Sequence, residues 1–264
     1  MKTVLITGAT SGIGLCIANR LHRDGYKVYG TSRFPEKYRH KVPFELLPLD
    51  ITSESSIQNC IAELLSKTQT LDVLINNAGI AVCGSAEETS AALADKQFQT
   101  NFWGAVNMTK AVLPIMRQQK RGNIITIGSL AGLVGVPFES YYSASKHALE
   151  GFFKSLRLEV RSFNIKISVV EPGFFKTGID NAIDYAEPNI SDYDGKRANT
   201  LAVFSDSVQN APLPDPVAKT IVKILNSKNP GYSYPVGRSA KIFPFIQFLS
   251  YRLFEAGSAK KFKL

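Results

Sequence analysis

Cysteine is scarce in this 264-residue chain: Cys16, Cys60 and Cys83 are the whole supply, an odd number without metal-ligand spacing. That excludes a disulfide framework or a zinc cage and points to a reducing, cytoplasmic setting. Long apolar runs are missing too. The carboxyl tail's longest uncharged run, 242–251, has ten residues, far short of the roughly twenty that cross a bilayer. No charged-then-apolar stretch precedes the strand-like "KTVLITG" that begins at Lys2, so no secretory leader is expected. Acidic residues are in deficit, 22 Asp and Glu against 31 Lys and Arg, a net charge of +9. Such a balance suits an anionic cofactor, an anionic membrane surface or nucleic acid. No recognised nucleic-acid motif accompanies the basic residues, so no nucleic-acid partner is expected.

What is present is 44% hydrophobic residues, enough for a sizeable core. Apolar runs at 3–7, 27–32, 44–49, 71–76, 122–128, 165–171 and 232–236 read as strands. Helix candidates lie between them, near 12–24, 53–67, 87–120, 140–163 and 215–227. The strands are continuously rather than alternately apolar, which implies burial on both faces. The pattern predicts one α/β domain over 1–264, a doubly wound, mostly parallel seven-stranded sheet with helices on each face. Two segments depart from the rhythm. Residues 174–214 read as an irregular excursion leaving a strand's carboxyl end, where such folds bind ligands. Residues 240–264 form an apolar and basic extension.

After the first strand comes "TGATSGIG", Thr7–Gly14, with Gly8, Gly12 and Gly14 in a G-x-x-x-G-x-G spacing. A tight strand-to-helix turn of this kind lets backbone approach a pyrophosphate and aims a helix N-terminus at it, as in Rossmann-type domains. The second strand ends "GTSRF". Where NAD sites carry a carboxylate, this chain has Ser32 and Arg33, and no acid until Glu36. A hydroxyl followed by a guanidinium suits a 2′-phosphate, so NADP(H) is the preferred cofactor and NAD(H) the alternative. Lys37, Arg39 and Lys41 read individually as a solvated loop.

Near the middle sits "SYYSASKHALEGF", Ser140–Phe152. Residues four apart share a helix face, so Tyr142 stands beside Lys146 while Tyr141 diverges from it. A phenol titrates near ~10, and an adjacent ammonium lowers that value, making Tyr142 a candidate general acid or base. Tyr141 packs or lines the cleft. Ser129 ends the "NIITIGS" strand thirteen residues earlier, "INNAG" (75–79) closes another strand, Asn101 lies in the helical stretch after it, and "VEPGFFKT" (170–177) closes the sixth strand.

In this order and spacing the motifs resemble the short-chain dehydrogenase/reductase family, over about residues 1–180 and in overall length. The resemblance implies that Gly8, Ser11, Gly12, Ile13 and Gly14 hold the pyrophosphate, with Ser32 and Arg33 at the adenosine phosphate. Asp50 would meet the adenine amino group with Ile51 beside it; Asn77, Ala78 and Gly79 would border the adenosine ribose. Pro172, Gly173, Phe175 and Thr177 would border the nicotinamide. It further implies that Ser129 orients the substrate oxygen and Tyr142 exchanges its proton. Lys146 would hold the nicotinamide ribose and depress the Tyr142 pKa, and Asn101 would anchor a relaying water. The activity implied is an NADP(H)-dependent interconversion of a carbonyl and an alcohol. The alternative is a non-catalytic cofactor-sensing regulator, which would need no proton donor.

The stretch after Ser129, "LAGLVGVPF", is apolar, and Phe174, Phe175, Tyr185, Tyr193 and Phe204 follow the nicotinamide motif. Such a lining favours a bulky apolar small molecule, steroid-, retinoid- or lipid-like. The tail is expected to dock on its own domain or at a subunit interface of a homodimer or homotetramer, with peripheral membrane contact the less favoured alternative.

Overall fold

The structure, a computed structural model, describes residues 1–177 and 183–264. In chain order its elements are β1 (Thr3–Ile6), α1 (Gly12–Arg23), β2 (Lys27–Ser32), β3 (Glu45–Pro48), α2 (Glu54–Lys67), β4 (Val73–Asn76), β5 (Ala81–Cys83), α3 (Ala91–Phe98), α4 (Gly104–Gln119), β6 (Gly122–Ile127), α5 (Ser140–Glu159) and β7 (Ile165–Pro172). Then come β8 (Ile183–Tyr185), α6 (Asp194–Gln209), α7 (Asp215–Asn226), β9 (Ser233–Val236), α8 (Arg238–Leu249) and α9 (Tyr251–Phe262).

Seven strands form one sheet in the order β3-β2-β1-β4-β6-β7-β9, and every pairing in it is parallel. This is the expected doubly wound architecture. Its apolar runs are continuous because both faces are covered. Leu5, Leu74 and Ile124 point towards α2, α4 and α5, where Leu64, Val112, Met116 and Phe153 meet them. Their neighbours Val4, Ile75 and Ile125 point the other way, onto Ile17 and Leu21 of α1 and Val217 and Ile221 of α7. Phe153 is fully buried, and its truncation to Ala is worth roughly 3–5 kcal/mol. The chain reverses direction across the sheet between β1 and β4, and a crevice opens at their carboxyl ends.

Two expectations need correction. The 87–120 helix begins at Ala91 and is broken by a π-helical turn at Gln99–Trp103 before α4 resumes. The 174–214 excursion carries a strand and a helix: β8 pairs in parallel with β5, and α6 runs for 16 residues. Its residues 178–182 lie outside the described ones.

The carboxyl tail folds back as α8 and α9. Phe243 and Phe254 pack on Leu130 and Val134, and Phe262 meets Phe204 of α6 edge-on at 5.6 Å between ring centroids. Docking on the domain is therefore found, but it is incomplete: Phe245, Phe248, Leu249, Tyr251 and Leu253 stay exposed. Among the described residues, no helix is long and apolar enough to cross a membrane.

Candidate active site

The turn after β1 is shaped by backbone that side chains resist. Gly8 and Gly12 sit at φ +67° and +53°, in the left-handed region. Thr7 fastens the turn to the next strand: its hydroxyl accepts from the N–H groups of Asn77 (2.9 Å) and Ala78 (3.0 Å). Asn77 returns the tie, its amide donating to the Thr7 and Gly8 carbonyls at 2.9 and 3.0 Å. Ser11 is the N-cap of α1 but its hydroxyl makes no capping bond, and the first turn holds no acidic residue. The leading N–H groups of α1 thus face the crevice without a side-chain partner, which is what a diphosphate needs.

At the end of β2 the Ser32 hydroxyl accepts from Phe34 N–H at 3.1 Å. Arg33 is exposed at the crevice wall. Among the described residues no carboxylate pairs with it, although its charge helps hold Asp50 ionised. The neighbouring cations are engaged elsewhere: Arg39 pairs with Glu36 at 3.2 Å, and Lys37 and Lys41 stand over the Phe34 and Tyr38 rings. Asp50 accepts from the hydroxyl and N–H of Thr52 at 2.7 and 2.9 Å, and these bonds pull its carboxyl below the usual range.

One cleft of about 840 Å³ gathers the expected site residues. Gly8, Ser11, Gly12, Ile13, Gly14, Ser32, Arg33, Asp50, Ile51, Asn77, Ala78 and Gly79 occupy one end. Ser129, Tyr142, Lys146, Pro172, Gly173 and Phe175 occupy the other, while Thr177, also in the lining, lies against Gly12 of the glycine turn. Asn101 is the exception. It is buried in the π-helical turn, donating to Ile80 O and accepting from Ile80 N–H at 2.9 Å each, with Ser145 Oγ 3.5 Å away. That leaves it a single acceptor lone pair on Oδ1. The dinucleotide therefore fits the residues present: a glycine turn, an uncapped helix start and an uncommitted guanidinium, all on one cleft.

Electrostatics at the catalytic end differ from the expectation. Tyr142 lies beneath Lys146, whose ammonium is 5.7 Å from the ring centroid. Yet the phenol is pushed up to about 12, by burial first and by the Glu139 carboxylate second, with the Ser129 hydroxyl opposing. Burial likewise lowers Lys146 to about 8, opposed by Glu150 one turn on. The ammonium spends itself on the Ile127 carbonyl at 3.0 Å. In the protein's own field, burial and Glu139 set the Tyr142 phenol, and the expected depression below its usual value does not occur.

On the substrate side, Leu130, Val136, Phe174, Tyr185 and Phe204 line the cleft. Tyr193 does not; its hydroxyl meets Glu87. Tyr141 is half-buried outside the lining. A small apolar pocket of about 140 Å³ adjoins, sharing Leu130, Val136 and Phe174 with the cleft and walled by Phe243, Leu253 and Phe254 of the tail. Sequence reasoning missed three acids. Glu150, hydrogen-bonded to Tyr232 at 3.0 Å, and Glu171 are buried behind Lys146. Glu139 lines the cleft itself. Nothing in local spacing marks them as site residues.

Comparison with known proteins agrees with the fold. The family model "short chain dehydrogenase" matches residues 2–188. The chain is 39% identical over 250 residues to a 3-ketodihydrosphingosine reductase of Bacteroides thetaiotaomicron, covering 94% of this chain and 90% of that protein. It is 36% identical to human retinol dehydrogenase 8, covering 87% and 79%. A short-chain dehydrogenase from Streptomyces avermitilis superposes with a TM-score of 0.85 at 31% identity, covering 98% and 96%. The protein ElxO, solved with NADP bound, does so at 0.74 and 29% identity, covering 89% and 96%.

Proposed function

Because the chain belongs to the short-chain dehydrogenase family, we propose that this oxidoreductase uses NADP(H) to reduce the carbonyl of a bulky apolar substrate, with Tyr142 as proton donor. The observation that carries the reading is the convergence of Ser129, Tyr142 and Lys146 on the cleft that also holds the glycine turn.

The nicotinamide, when bound, supplies the hydride. Ser129 Oγ and the Tyr142 hydroxyl hold the carbonyl oxygen, and the phenol gives up its proton as negative charge develops there. A phenol held near 12 is protonated throughout the neutral range, so it is ready as an acid and poorly suited as a base. Lys146 holds the nicotinamide ribose, and Asn101 offers its remaining lone pair to a relaying water. Gly8, Ser11, Gly12, Ile13 and Gly14 take the diphosphate; Asp50, Ile51, Asn77, Ala78 and Gly79 take the adenosine; Pro172, Gly173, Phe175 and Thr177 border the nicotinamide. Arg33, with no carboxylate paired to it among the described residues, supports NADP(H) over NAD(H), in keeping with a neighbour solved with NADP. The two relatives named for a sphingoid ketone and a retinoid alcohol support a lipid-like substrate.

The test is NADPH consumption against a panel of ketones, with Tyr142→Phe alongside. Turnover by the parent and its loss in the variant supports the reading. A parent that binds NADPH and consumes none would leave a cofactor-sensing regulator.

We place the protein in the cytoplasm as a homodimer or homotetramer, a state supported by exposed Trp103 and Leu158, before α4 and at the end of α5, and read by light scattering. For the tail, the observations favour an anionic bilayer surface. Residues 238–264 carry Arg238, Lys241, Arg252, Lys260, Lys261 and Lys263 against Glu255 alone, +5 of the chain's +9. Phe248 on that face is 86% exposed. A second copy of so basic a face would be repelled, whereas each cation near an anionic surface gains about 1 kcal/mol. Co-sedimentation with phosphatidylserine vesicles at low salt, abolished by Phe248→Asp, is the expected result; equal recovery with neutral vesicles or none at all contradicts it.

A further inference from the structure

Glu139 is a carboxylate placed where the cleft's chemistry happens. It lines the cleft, one helical turn before Tyr142, and its charge reaches both Tyr142 and Cys83, another lining residue. It is the N-cap of α5, yet its side chain makes no capping bond to the helix. Among the described residues it has no ion pair and no side-chain hydrogen bond either. The cations nearby are committed: Lys96 to Asp184 at 2.8 Å and Lys146 to the Ile127 carbonyl at 3.0 Å. Arg33 lies at the cofactor end, near Asp50.

The backbone that presents Glu139 is itself constrained. Phe138, a bulky residue, adopts φ +59°, a conformation that persists only where surroundings enforce it. The enforcement is visible. Phe138 O accepts from Gly84 N–H at 2.8 Å, bracing it against the end of β5, and its ring packs edge-on to Tyr193 at 6.1 Å between centroids. A half-buried carboxylate without a cation is costly. Holding one in a fixed place beside the reacting groups makes sense when the ligand brings the cation.

From this placement we infer that the substrate is an amino ketone, its ammonium held by the Glu139 carboxylate while its carbonyl meets Ser129 and Tyr142. The inference rests on the carbonyl reduction proposed above and narrows it. Burial raises the Glu139 carboxyl to about 7, so near neutrality an arriving ammonium ionises it readily. The rest of such a molecule is apolar, because Leu130, Val136 and Phe174 lead from the same region into the 140 Å³ pocket under the tail. A neutral ketone of the same length would leave Glu139 without a partner, which makes the carboxylate a selectivity device as well as an anchor.

The experiment compares a long-chain 2-amino-3-ketone with the same ketone lacking the amine, using NADPH and the parent, Glu139→Gln and Glu139→Asp. The parent prefers the amino ketone. Glu139→Gln raises KM for it about 10–100-fold, as expected for loss of a charge-assisted bond, and leaves KM for the des-amino ketone within about threefold of the parent. Glu139→Asp recovers part of the loss. An equal fall in kcat on both ketones would overturn the inference in favour of proton handling with Tyr142; unchanged kinetics on both would overturn it outright. If the parent reduces neither ketone, the reductase reading fails by itself, and thermal shift decides Glu139. A long-chain amino alcohol must then stabilise the parent but not Glu139→Gln; equal stabilisation of the two overturns the inference.

Discussion

Gly14→Ala puts the cofactor end of the cleft under direct strain. A β-carbon at Gly14 would lie 2.3 Å from the Gly8 carbonyl oxygen and 2.4 Å from Asn77 Nδ2, well inside van der Waals contact. Asn77 cannot swing aside cheaply, because that amide is what ties the Thr7 and Gly8 carbonyls. Displacing it loses two hydrogen bonds at ~0.5–1.5 kcal/mol each, and overpacking adds roughly 1–3 kcal/mol. If instead the backbone moves, α1 retreats from the crevice and its leading N–H groups lose their aim. The variant should unfold roughly 5–15 °C below the parent in differential scanning fluorimetry. Its NADPH affinity by isothermal titration should fall by at least about tenfold. A variant with parental Tm and parental affinity would refute the claim that this contact holds the diphosphate turn in shape.

Arg33→Ala should weaken NADPH binding by about 10–100-fold and NADH binding by far less, read by titration with both cofactors; equal losses would contradict a 2′-phosphate contact. Lys146, lowered to about 8 by burial, should react with an amine-directed acylating reagent with a half-maximal rate near pH 8 in the free protein. Labelling that rises only at the pH of surface lysines would show that burial is not the governing influence there. Glu171 is raised to about 8, by burial first and Glu150 second. Its folded pKa exceeds the unfolded value, so the stability it contributes is full below about 4.5 and is lost as pH climbs towards 8. Glu171→Gln should flatten that decline in Tm between pH 5 and 8, and an unaltered slope would exclude Glu171 as its source.

The sheet was readable because β1, β4, β6 and β7 are apolar on both faces, a pattern that local sequence carries. The cleft was readable because a glycine turn, a strand-end serine and a tyrosine–lysine pair stand at fixed distances along the chain. β5 and β8 were not. Each has three residues and exists through pairing with the other, 102 positions away (Ala81 with Ile183). α6 escaped notice because it shows no apolar stripe and buries only Thr200 fully. Lys146 was read as activating Tyr142 from helical spacing and from the family resemblance. Spacing reports proximity; it does not report the burial of the phenol or the carboxylate of Glu139, and these govern its titration. Glu139 itself has no signature in sequence, since its meaning comes from the cleft wall it joins and from having no ion pair among the described residues.

Central to the account is proton donation by a half-buried phenol to a carbonyl in this cleft. The most direct measurement is a single turnover of the amino ketone with NADPH deuterated at the transferring position of carbon 4, followed by mass spectrometry of the alcohol. The parent should deliver the label to the carbinol carbon, and Tyr142→Phe should bind the cofactor as tightly yet form alcohol at least about 100-fold more slowly. Alcohol formed at the parental rate by Tyr142→Phe, or formed by the parent without label, would contradict it.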